Sequence, residues 1–438
     1  MAHYGVPGVS VAVVDGGRIV WSRAFGVQEV GGSEPVTPAT LFQAASISKV
    51  IAATATLRLV DDGKLDLDTD VNRYLRSWHV PENEFTAREK VTLRRLLSHT
   101  AGTSVHGFLG YAPDAPRPTL LQVLDAQPPA ANHAVRVTAV PGSETSYSGG
   151  GIVIEQLVLT DATGRPFPEL AQDFVFTPLQ MRDSTFEQPL PEAMRRRAAR
   201  GHDEEGKVIP GGWAIGPEMA AGWLWTTPTD LMRWAVAIDQ SRRGTPASLL
   251  SRTTATDMLT VQKDLYGLGP VLEGSGPAFR FSHGGNNPGY TTQLTYFPEK
   301  RQGFAVLVNK VGADLLIEEI TRAVASEYGW PALQPERVQP ASLSEADLTR
   351  IAGKYALRFP GATEPPAAEI RRDGDRLLLT APPILQDDEI IARSATEFIS
   401  PAWGYTLELQ RGEEGAITGF VIRYGQNVFT ASREPAAR

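Results

Sequence analysis

Period-two patterning sits at both ends of the first 335 residues, and helical patterning fills the stretch between. Val9-Ser10-Val11-Ala12-Val13-Val14 is apolar and largely β-branched, Asp15-Gly16-Gly17 follows it, and residues 18–26 alternate. That is the signature of two strands about a turn that needs positive φ. Residues 266–271, 279–285, 291–297 and 303–309 read as four further strands, and 315–328 as an amphipathic helix. Strands, a long helical excursion, strands and a helix imply an α+β fold. One antiparallel sheet is built from both ends of the segment, with a helical region over about 50–260 inserted between them.

Within the excursion, a helix is entered at Ser46 and runs to about Asp62, with Gly63 as its C-terminal stop. Thr92 caps a short helix that stops near Ser98, and Gly102 sits in the turn after it. Another helix lies around residues 120–124. Gly149-Gly150-Gly151 is expected to make a tight turn feeding a buried helix from Ile152. Residues 170–176 are helical, and Thr229 is the expected N-cap of a helix over 231–238, with Asp230 in its first turn. Residues 330–340 form a proline-punctuated linker. Ser344 then starts a short helix, and period-two alternation returns at 376–380, 405–409 and 417–422, the last two separated by a turn over 412–415. These readings divide the chain into a domain over 1–335 and a small all-β module over 341–438, expected to close into a barrel.

Bulk properties exclude several functions. Lys plus Arg is 42 and Asp plus Glu is 50, a net charge of −8, which argues against a nucleic-acid groove or a polybasic membrane patch. The chain has no cysteine, which removes disulfides, thiolate metal sites and a cysteine nucleophile. No run of eighteen apolar residues is present, so no integral membrane segment is expected. Gly149-Gly150-Gly151 lacks the Gly-Lys-Ser/Thr of a phosphate loop. No metal and no cofactor are expected. Met1-Ala2-His3-Tyr4-Gly5 has neither the charged nor the apolar region of a signal peptide. A cysteine-free chain suits a periplasmic, secreted or cytoplasmic setting alike.

The chemistry starts from Ser46-Ile47-Ser48-Lys49, which opens an apolar helical run. Ser46 and Lys49, three apart, share a helix face. A buried amine loses its proton more readily, and a neutral amine beside a hydroxyl can take the serine proton. Ser-x-x-Lys arises roughly once by chance in a chain this long at average composition, so the pair decides nothing by itself. Two more sites follow in order, Tyr147-Ser148-Gly149 and His283-Gly284-Gly285. His99, at the end of a short helix, reads as a structural hydrogen-bonder.

The ordered set resembles the serine β-lactamase and penicillin-binding-protein-like hydrolase superfamily, which includes class C β-lactamases, D,D-peptidases, D-aminopeptidases and family VIII esterases. Val6-Pro7-Gly8, residues 96–102, residues 177–181 and Ala221-Gly222 before Leu224-Trp225 fall in the same order, so the likeness covers 6–330. The resemblance implies that Ser46 is the acylated nucleophile, activated by Lys49. The phenol of Tyr147 is implied as partner base and later proton donor, its pKa held down by Lys49 and by His283 if protonated. It implies an oxyanion hole from the backbone N–H groups of Ser46 and Asn286, with substrate against Gly284 and Gly285.

Three departures bear on substrate. Gly149 stands where β-lactamase members carry an asparagine that holds the substrate amide. His283 stands where they carry a lysine that meets a carboxylate. Trp223 replaces a usual glycine, so its indole is expected to narrow the cleft. These favour a carboxylesterase with at most weak β-lactamase activity. The alternative is a D-aminopeptidase or D,D-peptidase acting on D-amino-acid amides or peptides. A non-catalytic sensor is the third reading, and intact Ser46, Lys49 and Tyr147 argue against it. The partner is a small-molecule ester, amide or D-amino-acid peptide. The C-terminal module is open between covering the cleft, making a homo-oligomer and no part in catalysis.

Overall fold

The computed structural model describes residues 1–246, 248–358, 367–382, 385–412, 415–424 and 427–434. It divides into two compact units. The first is Met1–Ile317 with Tyr328–Ala332, and the second is Glu318–Glu327 with Leu333–Arg438. No helix among the described residues is long and apolar enough to cross a membrane.

The first unit holds the expected sheet. Strands β1 (Gly8–Asp15) and β2 (Arg18–Gly26) form the N-terminal hairpin, with Gly16 and Gly17 at φ of 57° and 77° in its turn. After β3 (Phe42–Gln43) and β4 (Trp225–Thr226), which form a separate two-stranded sheet, come β5 (Val271–Glu273), β6 (Arg280–Asn287), β7 (Tyr290–Phe297) and β8 (Gln302–Val308). The sheet order is β2-β1-β8-β7-β6-β5. β1 meets β8 from Val9↔Val308 to Val14↔Gly303, so segments some three hundred residues apart are neighbours. β1 lies inside the sheet and is buried along nearly its whole length, as its unbroken apolar run requires.

The helix Ser48–Asp61 is buried on nearly all sides, from Ser48 to Leu57 and at Leu59. A helix apolar all round has no solvent face to offer and belongs at the centre of a core. Thr54 accepts the indole N–H of Trp234 at 2.9 Å, and Thr56 donates to Glu155 at 2.6 Å, so its polar residues are satisfied inside. Thr92 caps the helix Leu93–Leu97 as expected.

Three local expectations are corrected. The glycines Gly149–Gly151 are the first turn of the helix Gly149–Thr163, not a turn ahead of it. Ser148 is the cap, its Oγ accepting from Gly151 N at 2.9 Å. The N-cap of the helix Pro228–Arg243 is Thr227 rather than Thr229, because Pro228 suits the first helical position, where no N–H is needed. Residues 266–270 are irregular, and the strand begins only at Val271.

In the second unit, eight strands from Gly353–Arg358 to Asn427–Arg433 form a closed barrel, the last pairing with the first from Thr430↔Arg358 to Arg433↔Tyr355. Closure leaves no free edge. Ser344 caps the helix Glu345–Ile351. Leu379, Phe398, Leu407 and Phe420 fill the interior with Tyr355, whose ring lies 4.8 Å from that of Phe420. Of the expected turn over 412–415, Glu413 and Glu414 lie outside the described residues.

Candidate active site

Ser46 is placed by the join between a strand pair and the central helix. β3 pairs with β4, Ala44 N donates to Leu224 O at 2.8 Å, and the chain then turns through Ala45 at φ 48°. That left-handed conformation costs an alanine energy that the surrounding contacts must hold in place. Ser48 ties the turn down: its Oγ donates to Ala45 O at 2.6 Å and accepts from Leu224 N at 3.0 Å. A single 3-10 turn, Ala45–Ile47, then carries Ser46 at the mouth of the helix.

Lys49, on the next turn, is only 2% exposed. Its Nζ donates to Ser46 Oγ at 3.1 Å and to the carbonyl of Ala221. Burial brings its ammonium down to about 7, with the charge of Glu155 pulling the other way. Near neutral pH the amine is therefore deprotonated in a large share of molecules and suits proton abstraction from Ser46.

Tyr147 closes the other side. Its phenol is hydrogen-bonded to Ser46, and its ring centroid lies 5.1 Å from Lys49 Nζ and 4.3 Å from the His99 ring. His99 is the structural hydrogen-bonder expected: it is buried, and its Nδ1 accepts from Ser148 N at 3.3 Å. Burial pushes the Tyr147 phenol up to about 12, the Ser46 contact opposing it. His283 is likewise buried. Desolvation first, then the nearby Lys49, takes it down to about 4, and its Nδ1 lies 2.6 Å from Gly284 O. The expectation that cations hold the phenol down is therefore corrected. His283 is neutral at physiological pH, Lys49 is half-discharged, and burial wins. Burial thus favours the protonated phenol of Tyr147 and leaves Lys49 the group of the pair with a substantial neutral fraction near pH 7.

β6 forms the far wall. A Cβ on Gly285 would stand 2.7 Å from Ser46 N and 2.7 Å from Ala44 O, so no side chain fits beside Ser46. Thr292 Oγ1 bonds Ala44 O at 3.0 Å and clamps the wall to the Ser46 turn. β5 pairs with β6 only as far as Ser282, so the stretch from His283 to Asn287 extends past the end of β5. Asn286 is exposed there, whereas Asn287 is buried, donating to Gln43 Oε1 at 3.0 Å and Gly222 O at 2.8 Å. A strand edge with Ser46 beside it is where an extended substrate can add.

The structure brings Ser46, Lys49, Tyr147, His283, Gly284, Gly285, Asn286 and Trp223 to one cavity of about 710 Å³. Gly149 does not line it. Its N–H donates to His106 O at 2.9 Å, and a Cβ would come 3.0 Å from that same oxygen and 3.2 Å from the Phe108 ring. The residue 106–108 segment passes where a larger side chain would reach out. Trp223 is buried, its indole N–H 3.3 Å from Glu218 Oε2, and burial pushes Glu218 up to about 7. The indole packs under Gly110 and forms one wall. No group of three or more His, Asp or Glu among the described residues is placed to hold a metal ion.

Sequence reading missed Glu155, Asp314 and the aromatic Phe108 and Tyr266. Glu155 carried a signal, a carboxylate in the middle of the apolar run from Ile152 to Leu159. It is fully buried; burial pushes its carboxyl up, while the Thr56 hydroxyl and the charge of Lys49 favour its ionised form, so the two buried groups support each other's charge, and its Oε2 has no hydrogen-bond partner.

The Beta-lactamase family model matches residues 1–327. The chain belongs to the β-lactamase family. It is a serine hydrolase of the β-lactamase and penicillin-binding-protein type. Penicillin-binding protein 4 of Amycolatopsis lactamdurans is 29% identical over 373 residues, covering 80% of this chain and 93% of that protein. The D-alanyl-D-alanine-carboxypeptidase/endopeptidase AmpH of Escherichia coli K12 is 26% identical over 325 residues, covering 70% and 80%. Among solved structures, the octameric penicillin-binding protein homologue from Pyrococcus abyssi superposes with a TM-score of 0.63 at 24% identity. It covers 98% of this chain and 97% of its own, so the likeness in fold extends over both units.

Proposed function

We propose that this family member hydrolyses D-aminoacyl esters and amides through an acyl-enzyme on Ser46, and that free-carboxylate substrates, β-lactams among them, are poor. The observation that carries the reading is the charge of the cavity lining. Among the described residues that line it, the only lysine or arginine is Lys49, which is committed to Ser46 and Ala221. The two histidines on the wall, His106 and His283, are both shifted down by burial. A substrate carboxylate would find there no cation other than Lys49, already bonded to Ser46 and Ala221, and burying an unpaired charge is costly.

In the proposed reaction, the neutral Lys49 amine takes the Ser46 proton as Oγ attacks the carbonyl carbon. The backbone N–H groups of Ser46 and Asn286 hold the oxyanion. Tyr147, protonated and bonded to Ser46, passes a proton to the leaving alcohol or amine, and Lys49 returns one to it. Water then attacks the acyl-enzyme by the reverse path. The D configuration is taken from AmpH, whose name specifies D-alanyl-D-alanine. The ester half agrees with the carboxylesterase expectation, and an apolar lining of Phe108, Leu109, Trp223 and Val271 suits an uncharged acyl side chain.

The test is a panel of p-nitrophenyl esters, D- and L-amino-acid amides, a D-alanyl-D-alanine peptide and nitrocefin, with Ser46→Ala as control. The expected order is D-aminoacyl ester and amide first, nitrocefin and the carboxylate-terminated peptide at least about a hundredfold slower. Turnover led by the carboxylate-terminated peptide would overturn the reading.

A further inference from the structure

The catalytic cavity carries one charged side chain that the reaction does not use, the carboxylate of Asp314. It is held in place by the sheet. Asn286 on β6 is paired across from Thr291 on β7. The Thr291 hydroxyl donates to Lys310 O at 2.8 Å and accepts from Ala313 N at 3.3 Å. The segment leaving β8 is thereby pinned beside Asn286, and the Asn286 amide donates to the Asp314 carboxylate.

Side chains alternate across a strand. The Cβ position of Gly285 faces Ser46, so Gly284 and Asn286 belong to the opposite face of β6, where a Cβ on Gly284 would meet Gln293 Oε1 at 2.9 Å. Asp314 therefore meets Asn286 on the face of β6 away from the Gly285 contact with Ser46, and it lines the same cavity beside the residue whose backbone N–H is assigned to the oxyanion. Burial pushes the carboxyl above its ordinary value, while its own backbone N–H and the Asn286 amide stabilise the charged form. No ion pair among the described residues takes up this carboxylate, and Lys49 is already engaged.

We propose that Asp314 is a specificity residue that takes a protonated amine of the substrate close to the scissile bond and repels a carboxylate there. The inference rests on the hydrolase reading above and narrows it to amine-bearing esters and amides. A partly buried carboxylate that meets an ammonium gains a charge-assisted hydrogen bond, whereas a second carboxylate in the same place meets like charge in a lowered dielectric. The amine can belong to the acyl half, as the α-ammonium of a D-aminoacyl group, or to the leaving group. Asp314 acts on the same charge in either case.

Two matched pairs separate these sources. D-phenylalanine p-nitroanilide and its N-acetyl derivative place the amine in the acyl half. The 2-aminoethyl and 2-hydroxyethyl esters of 3-phenylpropionic acid place it in the leaving half. In the wild-type protein, at least one pair is expected to favour the amine by tenfold or more in kcat/KM. Asp314→Asn should bring that ratio to within twofold, Asp314→Lys should invert it, and Asp314→Glu, which keeps the charge, should retain it and so separate charge from misfolding. Ratios within twofold for both pairs in the wild type, or a preference that survives Asp314→Asn, would overturn the proposal. A neutral fluorophosphonate distinguishes the two levels. Ser46 labelled with no amine preference rejects only the role of Asp314. No label and no turnover of any of the four substrates rejects the hydrolase reading, and this proposal with it.

Discussion

Lys49 Nζ lies 3.1 Å from Ser46 Oγ, and the buried carboxylate of Glu155 is the charge that keeps the amine's pKa from falling further. Burial alone favours the neutral amine, and Glu155 sets where the balance falls. The acid limb of kcat/KM should therefore appear near pH 7, activity rising as Lys49 loses its proton. Glu155→Gln removes the opposing charge, so the limb should move to lower pH while Ser46 stays reactive. A pH–rate profile checks it; an unmoved limb would mean that Glu155 does not act on Lys49.

The same burial carries a stability consequence. Lys49 has a folded pKa of about 7 against an ordinary 10.5, so between those values the unfolded chain binds more protons than the folded one. The wild type thus loses stability as pH falls from about 10.5 towards 7. Lys49→Met should abolish activity and raise Tm at pH 7. Thermal unfolding at pH 7 and pH 9 should show that gain shrinking at the higher pH. Equal gains at both would place the effect in packing rather than charge.

Gly285 faces Ser46, and a Cβ there would strike two backbone atoms, Ala44 O and Ser46 N at 2.7 Å each, and the Thr292 hydroxyl at 2.8 Å. Gly285→Ala should slow fluorophosphonate labelling of Ser46 by a hundredfold or more, the size associated with losing one oxyanion donor. Thermal unfolding should still show a cooperative transition. Labelling within threefold of wild type would mean that the wall yields.

Gly149→Asn restores the residue type of β-lactamase members without restoring its setting. The new side chain would press on His106 O and the Phe108 ring. We expect a loss of about 1–3 kcal/mol in stability, the range for overpacking, and no gain in nitrocefin turnover. Denaturant unfolding and a nitrocefin assay decide it. Faster nitrocefin hydrolysis would show that the 106–108 segment swings away.

Much of this was legible in the sequence, for physical reasons. β1 announces itself because a strand buried inside a sheet must be apolar throughout, and Gly16-Gly17 because the turn demands positive φ. Ser46, Lys49, Tyr147, His283 and Gly285 converge as their order implied. The protonation states were not legible. Whether a phenol or an imidazole is charged depends on burial, and Tyr147 and His283 are buried by segments distant in sequence, those of Lys49 and, for Tyr147, of His99. Gly149-Gly150-Gly151 misled for a related reason: glycine marks close approach as well as turns, and here the 103–108 segment crosses the first turn of a helix. Asp314 gave no local signal, since only β-sheet pairing brings the segment after β8 to Asn286. Thr227 was legible and was passed over, because Pro228 beside it marks the first helical position.

The central claim is that Ser46 is acylated with Lys49 as its base. Its most direct test is an intact-protein mass spectrum, followed by peptide mapping, after rapid acid quench of a reaction with a D-aminoacyl p-nitrophenyl ester. The account predicts a mass increase of one acyl group on the peptide containing Ser46, absent in Ser46→Ala and strongly reduced in Lys49→Met. Turnover with the acyl group on another residue, or undiminished acylation in Lys49→Met, would contradict it.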